Sequence, residues 1–99
     1  MHYNKAFYNH ADCEMRDQVL AMPKRFNSVE FCTQFSNNYP SEYEWLVLRY
    51  RRKWDRAHAV QIANREITHT LRNKYADLVK KIGEAPNPHG GSMSLWQRV

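Results

Sequence analysis

The stretch that decides the fold is the last 22 residues, LVKKIGEAPNPHGGSMSLWQRV at positions 78–99. The segment 78–83 favours a strand over a helix, because it ends in glycine and prolines follow within a few residues. The loop 86–91 holds two prolines and two glycines, so it can sustain neither a helical nor a strand period. From Met93 to Val99 the side chains alternate in the manner of a half-buried strand. We therefore predict a β-hairpin with a glycine-rich tip.

Upstream of the hairpin, apolar residues recur at the spacing of helices. This pattern predicts a helix over 12–22, which Pro23 ends, and a second helix over 28–38. A third helix is predicted from Ser41, and a fourth over about 56–73 with Asp55 as its N-cap. The third helix carries the most continuous buried stripe, formed by Tyr43, Leu46, Val47, Tyr50 and Trp54. The chain is therefore expected to be mainly helical, with a C-terminal β-hairpin.

The remaining segments are short. Residues 24–26 are expected to form an extended link, with Phe26 as a buried anchor. Asn27 and Glu30 have the spacing of a capping box, which places the start of the second helix after Asn27. Residues 1–11 show no helical period and are predicted to be an N-terminal arm. Residues 12–99 are predicted to be a single domain, since this length supplies one modest core.

The positive charge is concentrated in one third of the chain. The whole chain carries 15 Lys and Arg against 10 Asp and Glu, a net charge of +5. Between Arg49 and Lys81 there are ten basic and three acidic residues, whereas the other residues have a net charge of −2. A concentration of this kind favours a polyanionic partner, although a solvated basic helix face is the alternative interpretation.

Other features limit the class of protein. Membrane-spanning segments and a secretory signal are not expected, since no apolar run is long enough to span a bilayer and the first ten residues contain no apolar h-region. Two cysteines without CxxC spacing, Cys13 and Cys32, predict buried reduced thiols in a cytoplasmic protein. His58 and His69 share a helix but lie roughly 16 Å apart along it, too far for one zinc ion. We expect no metal, no cofactor and no enzymatic activity, since no nucleophile or phosphate-binding motif is evident.

The outward side of the fourth helix is polar. At 100° per residue its members cluster opposite the apolar side: Gln61, Arg65, Thr68, His69 and Arg72. The order of elements is helix, link, helix, helix with a polar outward face, and hairpin with a glycine-rich tip. This order resembles the winged helix-turn-helix family of DNA-binding proteins over about residues 12–99. The closing segment 78–99 then looks like the wing of that family.

The resemblance implies a function and a set of contacts. In that family the recognition helix enters the major groove, and here its position corresponds to residues 57–73. Arg65 and Arg72 would bind guanine, Gln61 would bind adenine, and Thr68 and His69 would contact bases or phosphates. Phosphate contacts would come from Arg49, Arg52, Lys53, Lys74, Lys80 and Lys81. At the wing tip, His89 and the backbone amides of Gly90 and Gly91 would approach phosphate or the minor groove.

We therefore expect a small transcriptional regulator that binds double-stranded DNA as a monomer or homodimer. The alternative hypothesis is a small basic interaction module or inhibitor that docks on a protein partner. Aromatic residues on the N-terminal arm, Tyr3, Phe7 and Tyr8, motivate that alternative, because such arms can become ordered on a partner. Arg65 has a purely structural interpretation as well, as an ion-pair partner of Glu66 or Asp55.

Overall fold

The chain forms four helices and a small antiparallel sheet. A computed structural model describes residues 5–99. The helices are α1 (Lys5–Ala21), α2 (Ser28–Asn38), α3 (Pro40–Arg51) and α4 (Arg56–Lys74). The strands are β1 (Arg25–Asn27), β2 (Val79–Pro86) and β3 (Ser92–Arg98). The mainly helical fold with a C-terminal hairpin is therefore confirmed. Within residues 5–99, no helix combines the length and the apolar character that crossing a membrane requires.

The sheet has a third strand that the sequence pattern does not predict. Residues 25–27 pair with β3 in antiparallel register, which places Phe26 opposite Trp96 and gives the strand order β1-β3-β2. Phe26 is buried as expected, at 4% exposure. Three residues are too few to show a strand alternation, so only the extended conformation was predictable. The added strand makes β3 the centre of the sheet and ties the hairpin to the helical body.

The hairpin is fixed to the helices through Trp96. This side chain is only 2% exposed, and its indole N–H donates a hydrogen bond of 2.9 Å to Ser28 Oγ at the start of α2. The Ser28 hydroxyl in turn donates to the carbonyl oxygen of Ser94 at 3.4 Å. Since neighbouring strand residues face opposite sides, Leu95 points away from this contact and is half-buried. The face of β3 that carries Trp96 is therefore the one that closes the core.

The start of α2 follows the predicted capping box. Asn27 Oδ1 accepts a hydrogen bond from the Glu30 backbone N–H at 2.8 Å, and the Glu30 side chain accepts one from the Asn27 N–H at 2.9 Å. Two N–H groups that have no partner within the helix are thereby satisfied. The same residues that end β1 thus begin α2, which holds the third strand directly beside the first turn of this helix.

The N-terminal segment differs from the predicted arm. From Lys5 onward it is helical, and a single non-helical residue, Ala11 (φ −129°, ψ 25°), kinks α1 close to the predicted helix start. Phe7 is fully buried and packs edge-on against Phe35, with ring centroids 6.0 Å apart. The arm prediction was therefore wrong for residues 5–11, and Tyr3 lies outside the described residues. The buried residues Phe7, Ala11, Met15 and Val19 follow one another at intervals of four, so the helical period continues through the kink and was available in the sequence.

The C-terminal end of the third helix also differs from the prediction. The stripe residues Tyr43, Leu46 and Val47 are buried, but α3 ends at Arg51. Trp54 lies in the turn before α4, is 39% exposed, and stacks on His58 with ring centroids 4.2 Å apart. Trp54 stands four residues after Tyr50, which is a helical spacing, although the helix has already ended before it. The turn places this side chain on α4 and not in the core.

The two cysteines lie in different environments. Cys32 is buried on α2, where burial raises the pKa of its thiol to about 12. Cys13 is exposed on α1, so the prediction of two buried thiols was wrong for this residue. On α1 the core face is taken by Ala11, Met15 and Val19, and Cys13 falls between these positions at the solvent side.

This difference predicts an unequal reaction of the two thiols. At neutral pH we expect an aromatic disulfide reagent to modify one thiol per folded chain quickly, because Cys13 is exposed whereas Cys32 is buried and its pKa is raised to about 12. The second thiol should react only after denaturation. The absorbance of the released chromophore, in native buffer and in denaturant, gives the number of reactive thiols in the folded and in the unfolded chain. The matched variant Cys13→Ser should abolish the fast phase. Two fast thiols in the native protein would contradict the buried position of Cys32.

Candidate nucleic-acid interface

The helix α4 begins and ends close to where the sequence places it. Asp55 is the N-cap, and its side chain accepts a hydrogen bond of 2.8 Å from the His58 backbone N–H. On its inward side Ala59, Ala63, Ile67 and Leu71 are fully buried, and Val60 is half-buried. Ile62, Glu66 and Thr70 are buried in addition. The opposite side remains exposed to solvent at Gln61, Arg65 and Arg72.

An open groove of about 950 Å³ runs between α4 and the tip of the hairpin. One wall is the outward side of α4, the other is formed by residues 87–94, and α2 contributes Val29, Cys32, Thr33 and Ser36. The groove brings together six of the predicted site residues from two distant parts of the chain: Gln61, Arg65, Thr68, His69, His89 and Gly90. This is the α4–hairpin groove.

Asn64 is a groove residue that the sequence interpretation missed. Its Oδ1 accepts a hydrogen bond of 2.8 Å from the Tyr43 hydroxyl, which fixes the carboxamide at the groove wall. Burial raises the pKa of Tyr43 to about 12, so the hydroxyl keeps its proton, and with it the donated hydrogen bond, to a higher pH than an ordinary tyrosine does. Gln61, Asn64, Arg65 and Thr68 have the spacing i, i+3, i+4, i+7 of one helix side, and this signal was available in the sequence.

The hairpin tip has a fixed conformation. Gly90 and Gly91 have φ values of +107° and +69°, which residues with a side chain rarely adopt. Asn87 accepts a hydrogen bond from the Gly90 N–H at 3.0 Å, and its side chain accepts one from the His89 N–H at 2.9 Å. The Gly90 amide is thus used within the turn and is not available to a phosphate, contrary to the expectation. The exposed imidazole of His89 remains the group that the tip presents to the groove.

The predicted contacts at the end of α4 and in the hairpin lie outside the groove. Arg72 continues the side of Arg65, about 10 Å further along the helix axis. Lys74 lies over the ring of Tyr8 at 5.0 Å, on another side of α4. Lys80 and Lys81 pair with β3 near the base of the hairpin, and Lys81 Nζ forms an ion pair with Glu84 at 3.2 Å. None of these four residues lines the α4–hairpin groove.

The basic residues that precede α4 are also placed apart from the groove. Arg49 and Arg52 lie on the side of α3 that faces away from its buried residues, beside a separate depression. This depression shares no lining residue with the α4–hairpin groove. Lys53 lies in the turn between α3 and α4, over the ring of Trp54 at 5.8 Å. The concentration of positive charge in the sequence is thus divided among several surfaces of the folded protein.

Arg65 keeps its charge available to the groove. No ion pair links it to Glu66 or Asp55 in the part of the chain that the structure describes. Glu66 is buried on the opposite side of α4, at 4% exposure, and Asp55 is used as the helix cap. Arg56, by contrast, makes two hydrogen bonds with the Glu44 carboxylate and holds the pKa of Glu44 below its usual value. Arg65 is therefore the main uncompensated cation of the groove wall.

Comparisons of the chain with protein-family models, with curated proteins and with solved structures find no match. Among residues 5–99, no group of three or more His, Cys, Asp or Glu side chains is placed to hold a metal ion. What the groove binds must follow from its own side chains. These combine apolar groups with hydrogen-bond donors and acceptors, carry a net positive charge, and come from α4, α2 and the hairpin tip.

Proposed function

We propose that the protein binds double-stranded DNA through α4 and the hairpin tip, as a small transcriptional regulator. We also propose that the domain is a winged helix-turn-helix domain, with α4 as the recognition helix and the hairpin 78–99 as the wing. The order of helices followed by a hairpin with a glycine-rich tip supports this description. The third strand, β1, pairs with β3 and so attaches the base of the hairpin to the helical body, which leaves the hairpin tip free to contact a ligand.

One observation carries the proposal. Gln61 and Arg65 on α4 line the same groove as His89 at the hairpin tip, although more than 20 residues separate these parts of the chain. A helix laid in the major groove leaves the adjacent sugar–phosphate strand beside it. A concave space next to the helix, whose lining includes the cation of Arg65 and the imidazole of His89 beside apolar side chains, suits that strand. Phosphate contacts of this kind position the protein, while side chains on the helix read the bases.

The dimensions of α4 suit the major groove. From residue 57 to residue 72 the helix is about 22 Å long, whereas the major groove is about 12 Å wide. Its central residues therefore reach base edges while its ends reach the phosphates on both sides. We assign Gln61 and Arg65 to base edges, since both side chains make paired hydrogen bonds to adenine or guanine. Arg72 and His89 are then assigned to the flanking strands.

The alternative proposal, a module that docks on a protein, is not supported by the part of the arm that the structure describes. It rested on an N-terminal arm of exposed aromatic residues, but Phe7 is fully buried and Tyr8 is half-buried. A segment that is already packed into the core has little area to offer a partner. A different surface of the molecule is suited to a protein partner, and it is described below.

The proposal predicts duplex binding that weakens steeply with salt. Fluorescence anisotropy with a random duplex, a single strand and an RNA, each at about 50 and 200 mM salt, tests it. Each phosphate contact releases counterions, so the logarithm of the binding constant should fall by about 0.9 per contact for each tenfold increase in salt. The duplex should bind best, at micromolar or lower concentrations.

The matched control is Lys24→Ala, which removes an exposed charge that is not part of the groove. It should bind the duplex nearly as the unaltered protein does. Duplex affinity that ignores salt over this range, or a clear preference for RNA or single strands, would refute the proposal.

A further inference from the structure

The exposed side of α3 carries a second candidate binding surface. It consists of Trp45, Leu48, Arg49 and Arg52, which have the spacing i, i+3, i+4, i+7 and lie opposite the buried side of the helix. We name these four residues the α3 outer face. Together with Tyr50 they line a depression of about 470 Å³. Leu48 is 59% exposed, which is a large apolar area for a position surrounded by arginines.

The charge of this surface is positive and uncompensated. Within residues 5–99, no ion pair engages Arg49, Arg52 or the neighbouring Arg51 and Lys53. The acidic residues that flank these cations in the sequence are already engaged, since Glu44 pairs with Arg56 and Asp55 accepts the hydrogen bond that caps α4. A partner that brings carboxylates to these cations would therefore find complementary charge around an apolar centre.

The side chains favour a polypeptide over a nucleic acid as the partner. Binding of single strands relies on aromatic rings whose faces are open to bases. Trp45 instead stacks on His10, with ring centroids 4.2 Å apart and an interplanar angle of 9°, and Arg49 lies over the same ring at 5.0 Å. The exposed Leu48 offers nothing to a phosphate. Tryptophan, tyrosine and arginine around an apolar centre are the composition of a protein–protein contact.

A second copy of this chain fits the surface less well. In a twofold dimer each surface meets itself, so Arg49 and Arg52 of both copies would face one another. Like charges brought together in an interface are unfavourable. A partner with the opposite charge avoids this repulsion.

We propose that the α3 outer face binds an acidic polypeptide segment that carries an apolar anchor residue. The anchor packs on Leu48 in the depression, and carboxylates of the segment pair with Arg49 and Arg52. Because the depression and the α4–hairpin groove share no lining residue, both surfaces can be occupied at once. The protein would then join an acidic partner to the ligand of α4.

The test is an anisotropy titration of the full chain with labelled synthetic peptides of about ten residues, long enough for one helical or extended contact. The probe is glutamate-rich with one central leucine, and a matched peptide has glycine in place of that leucine. Leu48→Ala and Arg52→Ala should each weaken binding of the leucine peptide at least about fivefold. Leu20→Ala, at a leucine of equal exposure (58%) on α1, should leave binding unchanged, and so should Arg65→Ala.

Each other outcome overturns the proposal. If neither peptide binds, if both peptides bind equally, or if Leu48→Ala has no effect, the apolar anchor is wrong. If an oligothymidylate of equal charge binds as tightly and depends on Arg52, the surface serves nucleic acid. If sedimentation shows self-association that Leu48→Ala removes, the occupant is a second copy. None of these outcomes affects duplex binding through Arg65, so the two proposals fail separately.

Discussion

Replacing Trp96 by alanine is expected to lower the free energy of unfolding by about 3–5 kcal/mol, as for other large aromatic residues in cores. The side chain is 2% exposed, so its removal opens a cavity where β3 meets α2. The change also removes the donor to Ser28 Oγ. A domain of this size is usually stable by about 5–15 kcal/mol, so the loss is a large share of the total. Urea denaturation followed by circular dichroism measures it.

The matched control for this change is Ile82→Ala in the same sheet. Ile82 is 44% exposed at the irregularity of β2, so its truncation should alter the free energy of unfolding by no more than about 0.5 kcal/mol. If Trp96→Ala cost as little as Ile82→Ala, the hairpin would not be attached to the core through this residue. A variant too unstable to purify would agree with the expected sign, and Trp96→Phe would then supply a smaller, measurable loss.

The second large effect concerns the reading of bases by α4. On a preferred duplex selected from a random pool, Arg65→Ala is expected to cost about 1–3 kcal/mol of binding free energy. On random duplex the same variant should lose much less, because a base contact contributes to discrimination. Arg72→Ala should lose affinity on both duplexes if it contacts phosphate, as its position beyond the groove suggests. Anisotropy on the two duplexes, at one salt concentration, separates these cases.

Two further variants serve as controls for Arg65→Ala. Lys80→Ala, near the base of the hairpin, should weaken both duplexes alike or leave both unchanged. Arg52→Ala should leave duplex binding unaltered, because the α3 outer face shares no residue with the α4–hairpin groove. If Arg65→Ala and Lys80→Ala behave identically on the preferred and the random duplex, α4 does not read bases.

The features that the sequence predicted correctly are those decided over a few residues. The capping box of Asn27 and Glu30 depends on two side chains three residues apart, and both hydrogen bonds are present. The buried side of α4 follows from a period that repeats over five turns. The glycines at 90 and 91 occupy the positions where positive φ values occur.

The features that it missed depend on the arrangement of elements in space. Strand β1 exists because β3 lies beside residues 25–27, and nothing local indicates that neighbour. The basic residues are concentrated in the linear sequence, but in the fold they lie on different surfaces. Arg49 on α3 lines one depression, and Arg65 on α4 lines the other. Trp54 continued a helical period that the turn at 52–55 interrupts. In each case the missing information was the direction of a side chain relative to another element.

The position of β1 in the sheet has a consequence for the order of folding. The helices and the hairpin consist of contacts between residues near one another in the chain, which form quickly. Phe26 and Trp96, by contrast, are separated by about 70 residues in the chain. Closing a loop of that length costs conformational entropy before the contacts between the strands can offset it. We therefore expect the three strands to come together after the helices and the hairpin have formed, and we place this pairing on the native side of the rate-limiting step as a hypothesis. Weakening the Phe26–Trp96 contact should then accelerate the loss of the native state far more than it delays its formation.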